Sequence, residues 1–121
     1  MSAPLTDAQR QVLRDQLEDE RRRVSAQLAR LEQTFDELVD AADLEPPDDE
    51  HDPDGTTAYE RAQVSSLARA ARSQLADLVR SLAAVDETSF GPCSNCGRAI
   101  GFERLQAVPG TNRCIECAAA G

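Results

Sequence analysis

The four cysteines of this 121-residue chain form two CxxC pairs near its C-terminal end, and their spacing constrains the fold more than any other feature. Cys93 and Cys96 form the first pair, Cys114 and Cys117 the second, and seventeen residues separate the pairs. This interval is typical of a zinc site, because each short turn lets two thiolates face one ion and the second pair completes a tetrahedron. The sequence therefore predicts one zinc ion bound by Cys93, Cys96, Cys114 and Cys117.

The predicted zinc ion is structural, because a site closed by four thiolates has no open coordination position for a substrate. Two alternatives remain for the cysteines. An iron site of the rubredoxin type uses similar pairs, and a redox dithiol uses a single CxxC beside a βαβ pattern, which this sequence lacks. His51, the one histidine, is far from the cysteines along the chain and is interpreted as a loop residue.

The segment from about Thr6 to about Ala42 contains no Gly or Pro and is predicted to form one long helix. It begins with Thr6-Asp7-Ala8-Gln9, which has the form of a capping box. Its apolar residues recur in an a/d pattern over roughly three heptads. The members of this seam are Leu17, Val24, Leu28, Leu31, Phe35, Leu38 and Ala42.

A second helix is predicted from about Ala58 to about Val85, with Thr57-Ala58-Tyr59-Glu60 as its capping box. Its heptad residues are Val64, Leu67, Ala71, Leu78 and Val85. Each seam is narrow, and the chain has no Trp and few aromatic residues for a thick core. The predicted fold is therefore mainly α: a long antiparallel helical hairpin (coiled coil) at 1–89, followed by a small four-cysteine zinc-finger module at 90–121.

The segment from Asp43 to Thr56 contains several prolines and a glycine and is predicted to be the loop at the tip of the hairpin. It is strongly acidic, as is the end of the helix before it. The acidic residues are Asp36, Glu37, Asp40, Asp43, Glu45, Asp48, Asp49, Glu50, Asp52 and Asp54. One interpretation is a solvated loop extended by charge repulsion, and the other is a functional acidic tip.

The net charge of −9 disfavours free nucleic acid as the partner, because phosphate binding needs basic patches. A basic protein surface is the better expectation. No stretch reaches the apolar length of a membrane span, and the N-terminus lacks the pattern of a signal peptide. The expected compartment is the cytosol.

The residues around the cysteines carry a further pattern. Cys93-Ser94-Asn95-Cys96-Gly97 is followed by Ile100, then by Arg104-Leu105-Gln106-Ala107-Val108-Pro109 and by Cys114-Ile115-Glu116-Cys117. Together with Phe90-Gly91, this resembles the zinc finger of the DksA/TraR family, whose pattern is CxxCG, Ile, Arg-Leu-x-Ala-x-Pro and CxxC. The resemblance extends more loosely over the predicted hairpin, and so over most of the chain.

The resemblance implies a bacterial transcription regulator that binds RNA polymerase and inserts its coiled coil into the secondary channel, where the acidic tip faces the catalytic centre. It implies no sequence-specific DNA binding. The family's tip motif is Asp-x-x-Asp-x-Ala, and this chain has Asp49-Glu50-His51-Asp52-Pro53-Asp54, with Asp54 in place of the alanine. The implied tip residues are Asp49, Asp52 and Asp54.

The best-known members of that family bind the alarmone ppGpp jointly with polymerase, through basic side chains. The aligned positions hold Ala70, Asp77 and Ala118 in this chain, none of which is basic. The resemblance therefore does not extend to ppGpp, and RNA polymerase itself is the expected partner.

Other functions stay open on the sequence alone. One is a zinc-stapled coiled coil that dimerises or docks on a different partner. Another is a factor whose tip carboxylates hold a metal during transcript cleavage, and a third is a DNA-binding zinc finger, which the net charge disfavours. The isolated chain is expected not to be an enzyme, because it has no Ser/His or Cys/His arrangement and no phosphate-binding loop.

Overall fold

The computed structural model describes residues 4–44 and 53–121, and they are mainly helical. The described helices are α1 Asp7–Leu44, α2 Pro53–Ala84, α3 Phe102–Ala107 and α4 Ile115–Ala120. An isolated antiparallel bridge joins Pro92 and Ala99. Two long helices followed by a small four-cysteine module confirm the predicted fold class. None of the described helices combines the length and apolar character needed to cross a bilayer.

The start of α1 confirms the first predicted capping box. The backbone N–H of Gln9 donates to Thr6 Oγ1 at 3.1 Å, and the backbone N–H of Thr6 donates to Gln9 Oε1 at 3.0 Å. These two bonds satisfy N–H groups that the first helical turn leaves without intrahelical partners. The sequence therefore identified both the helix start and its physical cause.

The second predicted capping box, Thr57-Ala58-Tyr59-Glu60, is wrong, because α2 begins at Pro53 and these residues lie inside it. Proline is favourable at the first helical position, where its missing N–H has no partner to lose and its fixed φ suits the helix. Of the predicted loop at 43–56, residues 43–44 belong to α1 and residues 53–56 to α2, whereas residues 45–52 lie outside the described residues.

The chain divides into two compact units. One combines the residues up to Arg23 with Gln74–Gly121, and the other is Val24–Ser73. In the first unit, Arg10 of α1 donates from its guanidinium to the carbonyls of Val85 at 2.5 Å and Glu87 at 3.1 Å. These bonds provide partners for carbonyl groups beyond the last turn of α2. The predicted boundary between a hairpin at 1–89 and a module at 90–121 stays a prediction.

In each unit one ion pair joins α1 to residues of α2 or directly after it. In the first unit, Arg14 of α1 pairs with Asp86, just after α2. In the second, Arg72 of α2 lies 3.6 Å from Glu32 of α1. These pairs are largely exposed, so they guide register more than they stabilise the fold.

Burial confirms the predicted apolar seam in part, because Leu28, Leu31, Phe35, Leu38, Ala42 and Val64 are only half-buried. Leu17 and Val24 on α1 are buried, as are Ala71 and Leu78 on α2 and Val85 directly after it. Leu67, however, is 49% exposed, while the neighbouring Ala68 is only 4% exposed. The seam on α2 therefore takes the smaller residue, and with Ala68 it follows the regular alternation of four and three residues that Leu75 and Leu82 continue.

Leu78 is expected to be a major contributor to stability, because its side chain is fully buried. Leu78→Ala should lower the free energy of unfolding by about 2–5 kcal/mol, through lost burial and the cavity left behind. Urea unfolding of the zinc-loaded chain, followed by far-UV circular dichroism, measures this change. Val79→Ala is the matched control, since Val79 is 51% exposed and its loss should cost about 0.5 kcal/mol or less. Equal costs for the two variants would contradict the assignment of the core.

Candidate metal centre

The first CxxC pair lies in a tight turn closed by backbone hydrogen bonds. The N–H of Cys93 donates to the carbonyl of Arg98 at 2.6 Å, and the N–H of Gly97 donates back to the carbonyl of Cys93 at 2.9 Å. Gly97 has a φ of 78°, a conformation that other residues rarely adopt. The glycine after the second cysteine is therefore what allows the turn to close and both thiols to face inward.

The second CxxC pair is built on the start of α4. Cys114 is the N-cap residue of this short helix, and its Sγ accepts from the backbone N–H of Cys117 at 3.4 Å. The N–H of Ala118 donates to the carbonyl of Cys114 at 3.0 Å. The helical turn places the second thiol of the pair on the same side as the first, which a CxxC spacing in a helix produces.

The two turns bring all four thiols together. The Sγ atoms of Cys93, Cys96, Cys114 and Cys117 lie within 4.8 Å of one another, and those of Cys96 and Cys114 are 3.7 Å apart. A tetrahedron of thiolates with metal–sulfur bonds of about 2.3 Å has sulfur–sulfur edges of about 3.8 Å, whereas a disulfide is close to 2.05 Å. The cysteines are free, and their geometry fits a four-coordinate metal ion.

The electrostatics of the thiols also favour a divalent cation. Backbone N–H groups, first that of Cys114 and then that of Cys96, lower the pKa of the Cys93 thiol to about 6. The backbone N–H of Cys117 likewise lowers the pKa of Cys114. At Cys117, the side chain of Asn95 lowers the pKa, but the neighbouring thiols outweigh it and raise the pKa to about 11. Four thiols this close cannot all ionise without a cation.

Contacts outside the sulfur cluster hold the two turns together. The N–H of Ser94 donates to the carbonyl of Asn112 at 2.8 Å, and Nε of Arg104 donates to the carbonyl of Arg113 at 2.9 Å. Leu105, which follows Arg104 in α3, is buried. The Arg-Leu step of the recognised pattern therefore has a physical role: the arginine supports the approach to the second pair, and the leucine supplies apolar packing.

Sequence reasoning missed two polar side chains near the centre. Nδ2 of Asn95 donates to Cys117 Sγ at 3.3 Å, and Nε2 of Gln16 in α1 donates to the carbonyl of Gln106 in α3. The Asn95 amide had a local signal for the sulfurs of its own turn but none for its bond to Cys117, which is 22 residues away. The Gln16 contact had none, since it joins residues 90 apart in the chain.

The structure describes only one of the three predicted tip residues, and only its backbone. Asp49 and Asp52 lie outside the described residues, as does His51. Asp54 lies in the first turn of α2, and only its helical backbone is described. Among the described residues, the four cysteines are the one group of three or more His, Cys, Asp or Glu side chains placed to hold a metal ion. The role of the three tip acids stays a prediction.

Comparison with known proteins relates the C-terminal module to a known zinc finger. Residues 88–120 match the family model described as the prokaryotic dksA/traR C4-type zinc finger. Geometry alone leaves iron as an alternative for four thiolates, but this match supports zinc. The match covers the module and includes none of the described residues of α1 or α2.

Curated relatives match over a similar part of the chain. The RNA polymerase-binding transcription factor DksA of Escherichia coli (strain K12) is 37% identical over 46 residues, which are 38% of this chain and 30% of that protein. The uncharacterized protein YteA of Bacillus subtilis (strain 168) is 39% identical over 54 residues, which are 45% of this chain and 23% of that protein. The matched region thus spans less than a third of the length of either relative.

The likeness of the fold is broader than that of the sequence. The structure of transcription factor DksA2 from Pseudomonas aeruginosa superposes with a TM-score of 0.75 over 94% of this chain and 83% of that chain. The sequence identity is 22%, so the comparison speaks to the fold alone. Two long helices joined to a C-terminal module are therefore a fold that this chain shares with a solved transcription factor.

Proposed function

Because the chain belongs to the DksA/TraR family through its C-terminal C4-type zinc finger, we propose that it binds RNA polymerase and regulates transcription. The observation that carries the proposal is the combination of that finger with a DksA-like fold over nearly the whole chain. One zinc ion on Cys93, Cys96, Cys114 and Cys117 stabilises the module. The proposed regulator acts in the cytosol and is not itself an enzyme. Its zinc site is structural, since a site closed by four thiolates has no open position for a substrate.

We further propose that the helical hairpin enters the secondary channel of polymerase. The distribution of charge supports this. Val24–Ser73 contains twelve acidic and four basic residues, whereas the rest of the chain contains ten acidic and nine basic residues. Nearly all of the net charge of −9 therefore belongs to the unit formed by the middle of the chain. Such a field steers association toward a cationic surface and weakens as salt rises.

The unit that contains the four cysteines, by contrast, has a net charge close to zero. Its charges are paired locally, as in the run of three consecutive arginines on α1. Arg21, Arg22 and Arg23 pair with Glu18, Asp19 and Glu20, each three residues earlier. This unit is therefore suited to positioning the hairpin, while the acidic unit acts on the polymerase active centre through Asp49, Asp52 and Asp54, near its catalytic Mg²⁺.

The alarmone ppGpp is not included in this proposal. Ala70 and Ala118 offer no charge, and Asp77 is acidic and pairs with Arg80 at 2.6 Å. An anionic ligand gains nothing from these three side chains. Regulation by this chain is therefore expected to be the same with and without ppGpp.

Co-purification with RNA polymerase tests the proposal directly. The zinc-loaded chain should elute with polymerase in size-exclusion chromatography and should change the half-life of open promoter complexes challenged with heparin. The binding should weaken with increasing salt, as expected of an acidic ligand on a basic surface. A chain that neither elutes with polymerase nor changes the half-life has a different partner, and the zinc-stapled interaction protein is then the better description.

An assay of transcript cleavage distinguishes the proposed regulator from a transcript-cleavage factor. If the tip carboxylates held a catalytic metal for hydrolysis, stalled polymerase would shorten its transcript when the chain is added. We expect no shortening, because the proposed role is regulation of the open complex. Accelerated cleavage would show that the chain is a cleavage factor and would contradict the proposed role.

A further inference from the structure

Asn95 lies in the first CxxC turn and contacts sulfur atoms of both pairs. Its backbone N–H donates to Cys93 Sγ at 3.4 Å, and its side-chain Nδ2 donates to Cys117 Sγ at 3.3 Å. The second bond joins residues 22 apart and so connects the first CxxC pair to the second. We propose that Asn95 is a positioning residue of the metal centre, whose carboxamide holds Cys117 Sγ toward the ion and lowers the reactivity of that sulfur.

Cys117 differs from the first cysteine of each pair in the origin of its hydrogen-bond donor. Cys93 accepts from the backbone N–H of Asn95, and Cys114 accepts from the backbone N–H of Cys117. Each of these two donors belongs to the same turn as its sulfur, although the backbone N–H of Cys114 also acts on Cys93 from the opposite turn. Among the described residues, the donor to Cys117 Sγ is the side chain of Asn95, which belongs to the opposite turn. One side chain therefore determines whether this sulfur has a donor.

Besides the backbone bond from Ser94 to Asn112, an ion pair next to the cysteines also joins the two turns, and it is weak. Arg98 follows the first pair and lies 3.2 Å from Glu116, which is inside the second pair. Both side chains are about three-quarters exposed, at 74% and 76%, so water screens their attraction. The hydrogen bond from Asn95 goes directly to a metal ligand and acts on the sulfur itself. Of these two links, it is the one that can affect the behaviour of the ion.

The charge of the loaded centre explains the chemical effect. Four thiolates around Zn²⁺ leave a net charge of about −2, and hydrogen bonds to charged acceptors are stronger than those between neutral groups. An N–H donor draws electron density from the sulfur. The sulfur is then a poorer nucleophile toward electrophiles and is held in the orientation that binds the ion. Cys117 is only half-buried, so this protection matters more there than at the buried Cys93.

Two variants of Asn95 separate hydrogen bonding from packing. Asn95→Ala removes the carboxamide without adding charge, and Asn95→Asp keeps its size, has no N–H donor and adds a negative charge. Both retain the backbone N–H that serves Cys93. Ser94→Ala is the matched control, since Ser94 is an exposed neighbour in the same turn whose side chain contacts none of the cysteine sulfurs.

The measurement is the rate at which the full, zinc-loaded chain transfers zinc to the chelator 4-(2-pyridylazo)resorcinol. Both Asn95 variants should release zinc about tenfold faster than the unmodified chain, the usual size of an outer-sphere effect on a metal site. Their initial zinc content and far-UV spectrum should match those of the Ser94→Ala control. Alkylation by N-ethylmaleimide, mapped by mass spectrometry, should show Cys117 as the cysteine whose reactivity rises most.

Three results would overturn the proposal. Release within about twofold of the unmodified rate would show that the contact has no effect on the ion. Unchanged release from Asn95→Asp alone would show that the N–H donor is not what matters. An equal rise in reactivity at all four cysteines would indicate general loosening of the module. The test uses no polymerase, so its outcome is independent of the proposed regulatory function.

Discussion

Replacing Cys114 with serine is expected to abolish zinc binding and to unfold the C-terminal module. Cys114 is buried, and its Sγ lies 3.7 Å from that of Cys96. It is also the N-cap residue of α4, so the same substitution disturbs the start of that helix. Structural zinc contributes about 10–16 kcal/mol of apparent binding free energy in small modules, and a missing thiolate removes much of it. A module this small has little apolar core with which to compensate.

The zinc content of the purified chain measures this effect. The unmodified chain should contain about one zinc ion, and Cys114→Ser should contain close to none after dialysis against a weak chelator. Proton–nitrogen correlation spectra should show that signals of residues around α3 and α4 collapse toward unfolded positions. Helix α1 should largely persist, because its backbone hydrogen bonds do not depend on the metal.

Ser94→Ala is the control for this prediction as well, because it changes an exposed residue next to a ligand and leaves all four thiols in place. It should retain full zinc content and the spectrum of the folded module. If Cys114→Ser also retained full zinc content with unchanged affinity, the four-cysteine assignment of the site would be wrong.

Replacing Asp49, Asp52 and Asp54 together with asparagine is expected to remove regulation while leaving polymerase binding largely intact. In the proposed function these carboxylates face the polymerase active centre, where Mg²⁺ makes their charge important. Asparagine has nearly the same size and lacks the charge. The effect of the chain on open-complex half-life should fall by about tenfold, equivalent to about 1.4 kcal/mol. The dissociation constant for polymerase should change far less.

The control for the tip must remove the same charge from the same unit. Asp36→Asn, Glu37→Gln and Asp40→Asn do so on α1, where all three side chains are exposed. Loss of bulk charge should slow association equally in both triple variants, because steering depends on the summed field. Only the tip variant should lose regulation. An equal loss of regulation in both triple variants would contradict the proposed role of the tip and would favour the interpretation of the acidic segment as a solvated loop.

Local chemistry explains which parts of this structure could be predicted. The capping box at Thr6 and Gln9 depends on residues three apart, and the structure contains both of its hydrogen bonds. The second heptad pattern depends on a repeated spacing, and its members Leu78 on α2 and Val85 directly after α2 are fully buried. Such patterns need no knowledge of the rest of the chain.

The errors arose where two local solutions competed. Thr57-Ala58-Tyr59-Glu60 can cap a helix, but Pro53 can also occupy the first helical position, and the structure starts α2 there. Leu67 is more apolar than Ala68, yet Ala68 is the buried one. Propensity and hydropathy rank single residues, whereas the register of a seam is decided by everything that packs against it.

At the metal centre, too, local sequence patterns predicted some features and tertiary packing decided others. The sequence by itself predicted the four ligands and the closed, structural character of the site, because two CxxC turns can present their thiols to one ion through local geometry alone. Only the tertiary structure decided which groups reach those sulfurs from elsewhere. The carboxamide of Asn95 meets Cys117 across 22 residues of chain, and Arg104 of α3 supports the approach to the second pair. These contacts depend on how the two turns pack together, which the spacing of the cysteines does not specify.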